Sequence, residues 1–199
     1  MQNCKLGIAN WEFPKGIALI ELLVGFGIIG IISFVIAGVF LAHYKLYNTQ
    51  TASVDVASQN KLGIDEMTNQ IRQAQSIVTT CSACGTDQTG ASILVLRLWP
   101  LDSSGNPMDP TSANYDYIVY KQDPSNSAML LKITYPDSTS SRKAQTQRVA
   151  NNISSLVFTY DNSDVTQASE VDITLTTAQT VAQKTLTTTA DSKAILRNK

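Results

Sequence analysis

The sequence predicts an α+β protein: one long N-terminal helix packed on an antiparallel β-sheet. Three observations carry this. Residues 17–42 form an apolar run whose only polar side chains are Glu21 and Ser33. Proline is absent between Lys15 and Pro100, and Gly63 is the only glycine between Gly38 and Gly85, so little interrupts a helix there. Beyond Gly85, short β-branched and aromatic runs alternate with turn-rich stretches, the pattern of an antiparallel sheet.

The first sixteen residues are a polar leader carrying Lys5, Glu12 and Lys15. The apolar run that follows, 17–42, exceeds the roughly 20 residues needed to span a bilayer. An ordinary secretory signal has a shorter apolar core, with its cleavage site after that core at small residues. The apolar run here is longer and follows the polar segment directly, so an ordinary secretory signal fits poorly. An uncleaved signal anchor is the plain alternative.

Glu21 is the unusual residue in that run. An acidic group in a membrane helix costs roughly 2.5–3.5 kcal/mol at the centre, less near an end. Residues i and i+4 share a helix face, so Ile17 and Glu21 would lie one turn apart. An apolar bundle favours a carboxylate paired to an amine over an unpaired one. Pairing within one chain and pairing between neighbouring chains both satisfy this. Gly30, Ser33 and Ala37 fall on one stripe of small residues, which lets helices approach closely in lipid.

Residues 43–80 read as the same helix turned amphipathic. Ala57, Ile64, Met67, Ile71, Ala74 and Val78 recur at helical spacing, while Asp65, Glu66, Asn69, Gln70, Arg72 and Gln73 fill the other side. One helix over about 17–78 would be on the order of 90 Å long. The change from all-round apolar to one-sided means lipid first and a globular partner second. A coiled-coil seam is the alternative use of the stripe.

Residues 81–199 read as a β-rich domain. Strands are predicted at 92–99, 115–121, 128–135, 154–160 and 170–176, with a threonine-rich edge strand at 185–189. In 170–176, Val171, Ile173 and Leu175 alternate with Asp172, Thr174 and Thr176, as in a half-buried strand. Turn formers fill 102–114, 123–127, 136–141 and 161–163.

Cys4, Cys81 and Cys84 are the three cysteines. Cys4 lies in the polar leader, and the other two form an even pair beyond the apolar run, which suits an oxidising compartment. Cys81-Ser82-Ala83-Cys84 lies at the C-terminal end of the helix. Thioredoxin-type chemistry needs such a pair at a helix N-terminus, and zinc needs more ligands than the single histidine, His43, supplies. A small structural disulfide is expected, with free thiols as the alternative.

Asp161-Asn162-Ser163-Asp164 presents oxygens that calcium could take, but the spacing is not that of an EF-hand and turn chemistry explains the same residues. No other cofactor or metal is expected. Arg142, Lys143 and Arg148 form a loose basic group that reads as a solvated loop. With a formal net charge of −1, the chain as a whole is no attractor of nucleic acid. No catalytic triad, phosphate loop or metal cluster is evident in the sequence, so no enzymatic activity is expected.

The run Lys15-Gly16-Ile17-Ala18-Leu19-Ile20-Glu21-Leu22-Leu23-Val24 resembles the signature of type IV prepilins, the family of type IV pilins and type II secretion pseudopilins. Ile17 stands where phenylalanine or methionine is commoner, Ala18 where threonine is usual, and Gly38 where many major pilins have proline. Residues 67–74, 153–161 and 171–176, with the closing Ile195-Leu196-Arg197-Asn198, are similar to minor pilins of the W type and the J-type pseudopilin. The retained Glu21 argues against the K-type tip pseudopilin.

The resemblance implies a pilin-like fold and a minor filament subunit placed near the tip. It implies cleavage between Gly16 and Ile17 by a membrane prepilin peptidase, with N-methylation of Ile17. Glu21 would pair with the Ile17 amine of a neighbouring subunit and set axial register. The implied partners are other pilins or pseudopilins, the peptidase and the inner-membrane assembly platform. The implied location is the bacterial inner membrane, single-pass, with the C-terminal domain periplasmic or extracellular, and then the filament. A DNA-uptake pseudopilin and a membrane-anchored exported binding domain that never assembles are the alternatives.

Overall fold

The structure, a computed structural model, describes residues 19–109 and 114–197. Its architecture is one long helix, α1 (Leu19–Gln73), and two antiparallel sheets. The chain divides into two units between Tyr47 and Asn48.

In the first unit, α1 is uninterrupted through Gly25, Gly27, Gly30 and Gly38. Its large apolar side chains lie exposed, from Leu19 and Phe34 to Phe40 and Leu46. Among the described residues, α1 alone is long and apolar enough to cross a membrane. Apolar side chains exposed around the whole circumference of a helix call for lipid or protein around them.

In the second unit, α1 becomes one-sided. Ala52, Val56, Asn60, Gly63, Ile64, Met67, Thr68, Gln70 and Ile71 are buried. Ile64, Met67, Ile71 and Ala74 of the expected stripe face inward. Ala57 does not: it is exposed, and its neighbour Val56 takes the inward place.

The helix ends at Gln73, earlier than the expected Val78. The Ala74 amide still donates to Gln70 O at 3.0 Å, but the Gln75 amide donates to Arg97 O at 2.8 Å. Ser76 and Ile77 then form the short strand β1 (Ser76–Ile77), opposite Arg97 and Leu96. The β-branched run Ile77-Val78-Thr79-Thr80 favours this exchange of helix for sheet.

β1 joins β2 (Ile93–Leu98), β3 (Asp116–Asp123), β4 (Asn126–Tyr135) and β5 (Gln145–Ala150) in a sheet ordered β1-β2-β3-β4-β5. β6 (Ile153–Tyr160), β7 (Glu170–Val181) and β8 (Lys184–Ile195) form the second sheet, in that order. Each expected strand is present. β8 extends well beyond the expected 185–189, while β1 and β5 escaped the sequence reading. β5 reads Gln-Thr-Gln-Arg-Val-Ala and buries only Val149 and Ala150, so it carries no alternating apolar pattern. Its pairing with β4 makes it a strand. β7 and β8 meet through Ala182 and Gln183, at φ 48° and 68°. Both residues are left-handed, as in a type I′ hairpin turn.

The core joins all the layers. Ile64, Met67 and Ile71 of α1 pack with Leu94, Leu96, Leu98, Ile118, Tyr120 and Leu130 of the first sheet, and with Leu156, Phe158, Ile173 and Leu175 of the second. Polar ties bind the helix to the second sheet. Asn60 Nδ2 donates to Leu175 O at 2.7 Å and Thr188 O at 3.0 Å. Thr177 Oγ1 donates to Val56 O at 2.9 Å.

Gly63 marks the closest seating. A Cβ added there would lie 2.7 Å from Leu175 Cδ2 and 3.4 Å from both Ala150 Cβ and Leu130 Cδ2. Leu175 is fully buried, so it has little room to give way. Gly63→Val should destabilise the protein by about 2 kcal/mol, within the range for overpacking. Gly63→Ala should cost less, because removing a helical glycine returns up to about 1 kcal/mol. Urea unfolding of the full chain in detergent, followed by circular dichroism, measures both.

Candidate functional site

Gly16 and Ile17, the expected cleavage and methylation positions, lie outside the described residues. Glu21 is in the first turn of α1, exposed among exposed Ile20, Leu22, Val24 and Ile28. A carboxylate near a helix N-terminus interacts favourably with the helix dipole. Gly30, Ser33 and Ala37 are exposed on the same helix. An added Cβ at Gly30 would meet nothing within 4 Å, so no described residue packs against the helix there.

The segment after β1 is closed by a disulfide between Cys81 and Cys84, with their Cα atoms 5.2 Å apart. Both cysteines are buried and pack with Val95 and Val119, on the sheet face opposite the main core. Gly85 follows in the left-handed region at φ 64°. Thr89 Oγ1 donates to Val78 O at 2.6 Å and accepts from the Val95 amide at 3.0 Å. Lys121 Nζ lies 2.6 Å from Asp87 Oδ2, which fastens the loop to β3. This covalent and ionic closure lids a small apolar patch and places no reactive thiol in the open.

The oxygens of the 161–164 turn are engaged within the turn. Asp161 accepts from Ser169 Oγ at 2.7 Å and from the Ser169 amide at 3.0 Å. Asn162 Oδ1 accepts from the Asp164 amide, and Asp164 Oδ1 from Thr166 Oγ1 at 2.7 Å. The Ser169 hydroxyl, with the Glu170 and Ser169 amides, holds the Asp161 carboxyl below the usual carboxylate range. Among the described residues, no three His, Cys, Asp or Glu side chains gather in metal-binding arrangement.

The basic group does not act as one unit. Arg142 Nε sits 2.7 Å from Asp116 Oδ2. The contact is an ion pair whose N–H points off the hydrogen-bond line. Asp116 is wholly buried, and accepts also from the Asp137 amide at 2.8 Å and Ser140 Oγ at 2.7 Å. Lys143 and Arg148 remain exposed.

Sequence reasoning missed two features. One is a half-buried polar cluster over the buried Tyr120 ring: Lys132 Nζ lies 2.6 Å from Glu66 Oε1, and Tyr120 Oη lies 3.5 Å from the same oxygen. Burial, and secondarily the Glu66 charge, push the Tyr120 hydroxyl far above its ordinary pKa. The other is a cavity of about 590 Å³ lined by Arg72, Trp99, Leu101, Pro107, Arg142 and Arg197. Its residues lie far apart in the chain, and no local signal unites them.

Comparisons with family models, with curated proteins and with solved structures find no match to this chain.

Replacing both cysteines, Cys81→Ser with Cys84→Ser, should cost about 2 kcal/mol, the loop-closure figure for so short a ring. Thermal melts with thiol titration read this directly. Acid should act through Asp161. Its folded pKa is lowered, so its contribution is complete above the unfolded value of about 3.9 and is lost as pH falls through the folded value. Asp161→Asn should therefore flatten the fall of Tm with acid below about pH 4, while lowering Tm at neutral pH.

Proposed function

We propose that this chain is a minor subunit of a type IV pilus or of a type II secretion pseudopilus, positioned near the filament tip. One observation carries the reading: the sequence Lys15-Gly16-Ile17 comes just ahead of an apolar helix that has Glu21 in its first turn and runs unbroken from Leu19 to Gln73. The fold is compatible with this role, having a long N-terminal helix and an antiparallel β domain.

The leader remains cytoplasmic and a prepilin peptidase cleaves between Gly16 and Ile17. Methylation of the Ile17 amine follows. The helix anchors the subunit in the inner membrane, with the β domain outside the cytoplasm. The assembly platform then extracts it into the filament.

The physics of Glu21 sets the direction of assembly. In lipid its carboxylate is costly unless paired. A neighbouring subunit's Ile17 amine supplies a partner and thereby selects one axial register. The exposed apolar side chains of α1 exchange lipid for neighbouring helices, and the small residues Gly30, Ser33 and Ala37 permit close approach. The role is mechanical: the helix builds the filament and the β domain presents a surface. The protein is a peptidase substrate and carries out no catalysis of its own.

Intact mass and N-terminal sequence of the membrane-extracted protein test this, with and without a co-expressed prepilin peptidase. The expected N-terminus is methylated Ile17, dependent on the peptidase. A leader retained under both conditions would make the chain a plain signal-anchored protein. Glu21→Ala should leave cleavage intact and abolish incorporation into sheared filaments, read by immunoblot. Unchanged incorporation would refute the register role.

A further inference from the structure

The cavity beside the C-terminal end of α1 is built from four separate segments of the second unit. Arg72 comes from the last turn of the helix. Trp99 follows β2, Leu101 and Pro107 bound the next turn, Arg142 precedes β5, and Arg197 follows β8. Its volume of about 590 Å³ falls within the roughly 300–1,000 Å³ typical of small-molecule sites.

Three guanidinium groups share this lining, in a chain whose formal net charge is −1. Arg142 is neutralised by Asp116. The Arg72 and Arg197 side chains make no ion pair or hydrogen bond with any described residue. The helix C-terminus alone accounts for a cation at Arg72. It does not account for Arg197 arriving at the same cavity from the other end of the chain, nor for Trp99 beside them. Trp99 is 37% exposed, so part of the ring is accessible.

The walls are held in place. Leu101 and Pro107 form a β-bridge, and the Met108 amide donates to Pro100 O at 2.8 Å. Asp102 Oδ1 accepts from the Ser104 and Asn106 amides, both at 2.8 Å, around Gly105 at φ 83°. Ser140 Oγ accepts from the Leu101 and Arg142 amides at 3.1 and 3.2 Å and donates to Asp116. The turn and the Arg142 segment therefore form one network. Such preorganisation lowers the cost of ordering a site on binding.

From this arrangement we infer that the cavity is a binding site for an anionic saccharide. The guanidinium forks of Arg72 and Arg197 take its carboxylate or phosphate, and the apolar face of a sugar ring rests on Trp99. Guanidinium suits both oxyanions through paired N–H donors. The two sources, a uronic acid unit and a sugar phosphate, share this chemistry. The inference stands apart from any filament role, since the cavity belongs wholly to the second unit.

Trp99 supplies the readout. The only other tryptophan is Trp11, so Trp11→Phe leaves Trp99 as the sole indole in the full chain. That protein, in a polyoxyethylene detergent free of sugar headgroups, is titrated with digalacturonate, glucose 6-phosphate, inorganic phosphate and neutral maltose. Saturable quenching by an anionic sugar, at about 1 mM or below, is expected. Maltose and inorganic phosphate should bind far more weakly. The tighter of the two anionic sugars identifies the source, and either result supports the site. Arg72→Gln with Arg197→Gln should weaken binding by at least about tenfold, the least expected from losing one charge-assisted hydrogen bond. Should that variant lose its native melt, Arg197→Gln alone gives the same reading at the chain's exposed end. No saturation by either anionic sugar overturns the inference. So does maltose or phosphate binding as tightly as they do, or an affinity unmoved by the arginine changes.

Discussion

The inward face of α1 from Ala52 to Ile71 is the constraint on which the β-rich unit depends. Two sheets must share one core, and the helix supplies the third wall. Fully burying a side chain such as Ile64, Met67 or Ile71 contributes roughly 1.5–3 kcal/mol. Each touches a core drawn from both sheets. Gly63 permits the close approach, with Leu175 of β7, Leu130 of β4 and Ala150 of β5 all at its surface. A larger residue there would separate the helix from both sheets at once.

Buried polar groups add position to that packing. Asn60 reaches two carbonyls, one on β7 and one on β8, so it fixes the helix against a particular register of the second sheet. Lys132 and Glu66 make a half-buried tie to the first. Burying such groups costs free energy unless they are paired. Their value lies in excluding alternative seatings that apolar contacts alone would tolerate. At the start of β3, Asp116 gathers an amide, a hydroxyl and Arg142 about one buried carboxylate and so fixes the 137–142 segment.

One helix thus presents two different surfaces. Its second half has a protein face opposite a wet face, and its first half has apolar side chains exposed all round. Such a surface is unstable in water, which supports the proposed use in lipid and then among neighbouring helices. Glu21 is the single carboxylate in that stretch, and its pairing demand gives the assembly proposal a definite register.

The sequence by itself determined the long helix, its change of character after residue 42 and the main strands, because these are written locally as periodicity and as absent breakers. Val171, Ile173 and Leu175 announce β7 by alternation alone. The leader and Glu21 carry the functional reading in the same local way. Only the tertiary structure decided the rest. The helix stops at Gln73 because Arg97 of β2 offers Gln75 a backbone partner, an offer invisible in 71–78. β5 is a strand because β4 pairs with it, and the strands divide into two sheets because the helix can cover both. Arg72, Trp99, Arg142 and Arg197 line one cavity although up to 125 positions separate them. No short window of sequence holds that information, since it resides in how distant strands and turns are brought together by a shared core.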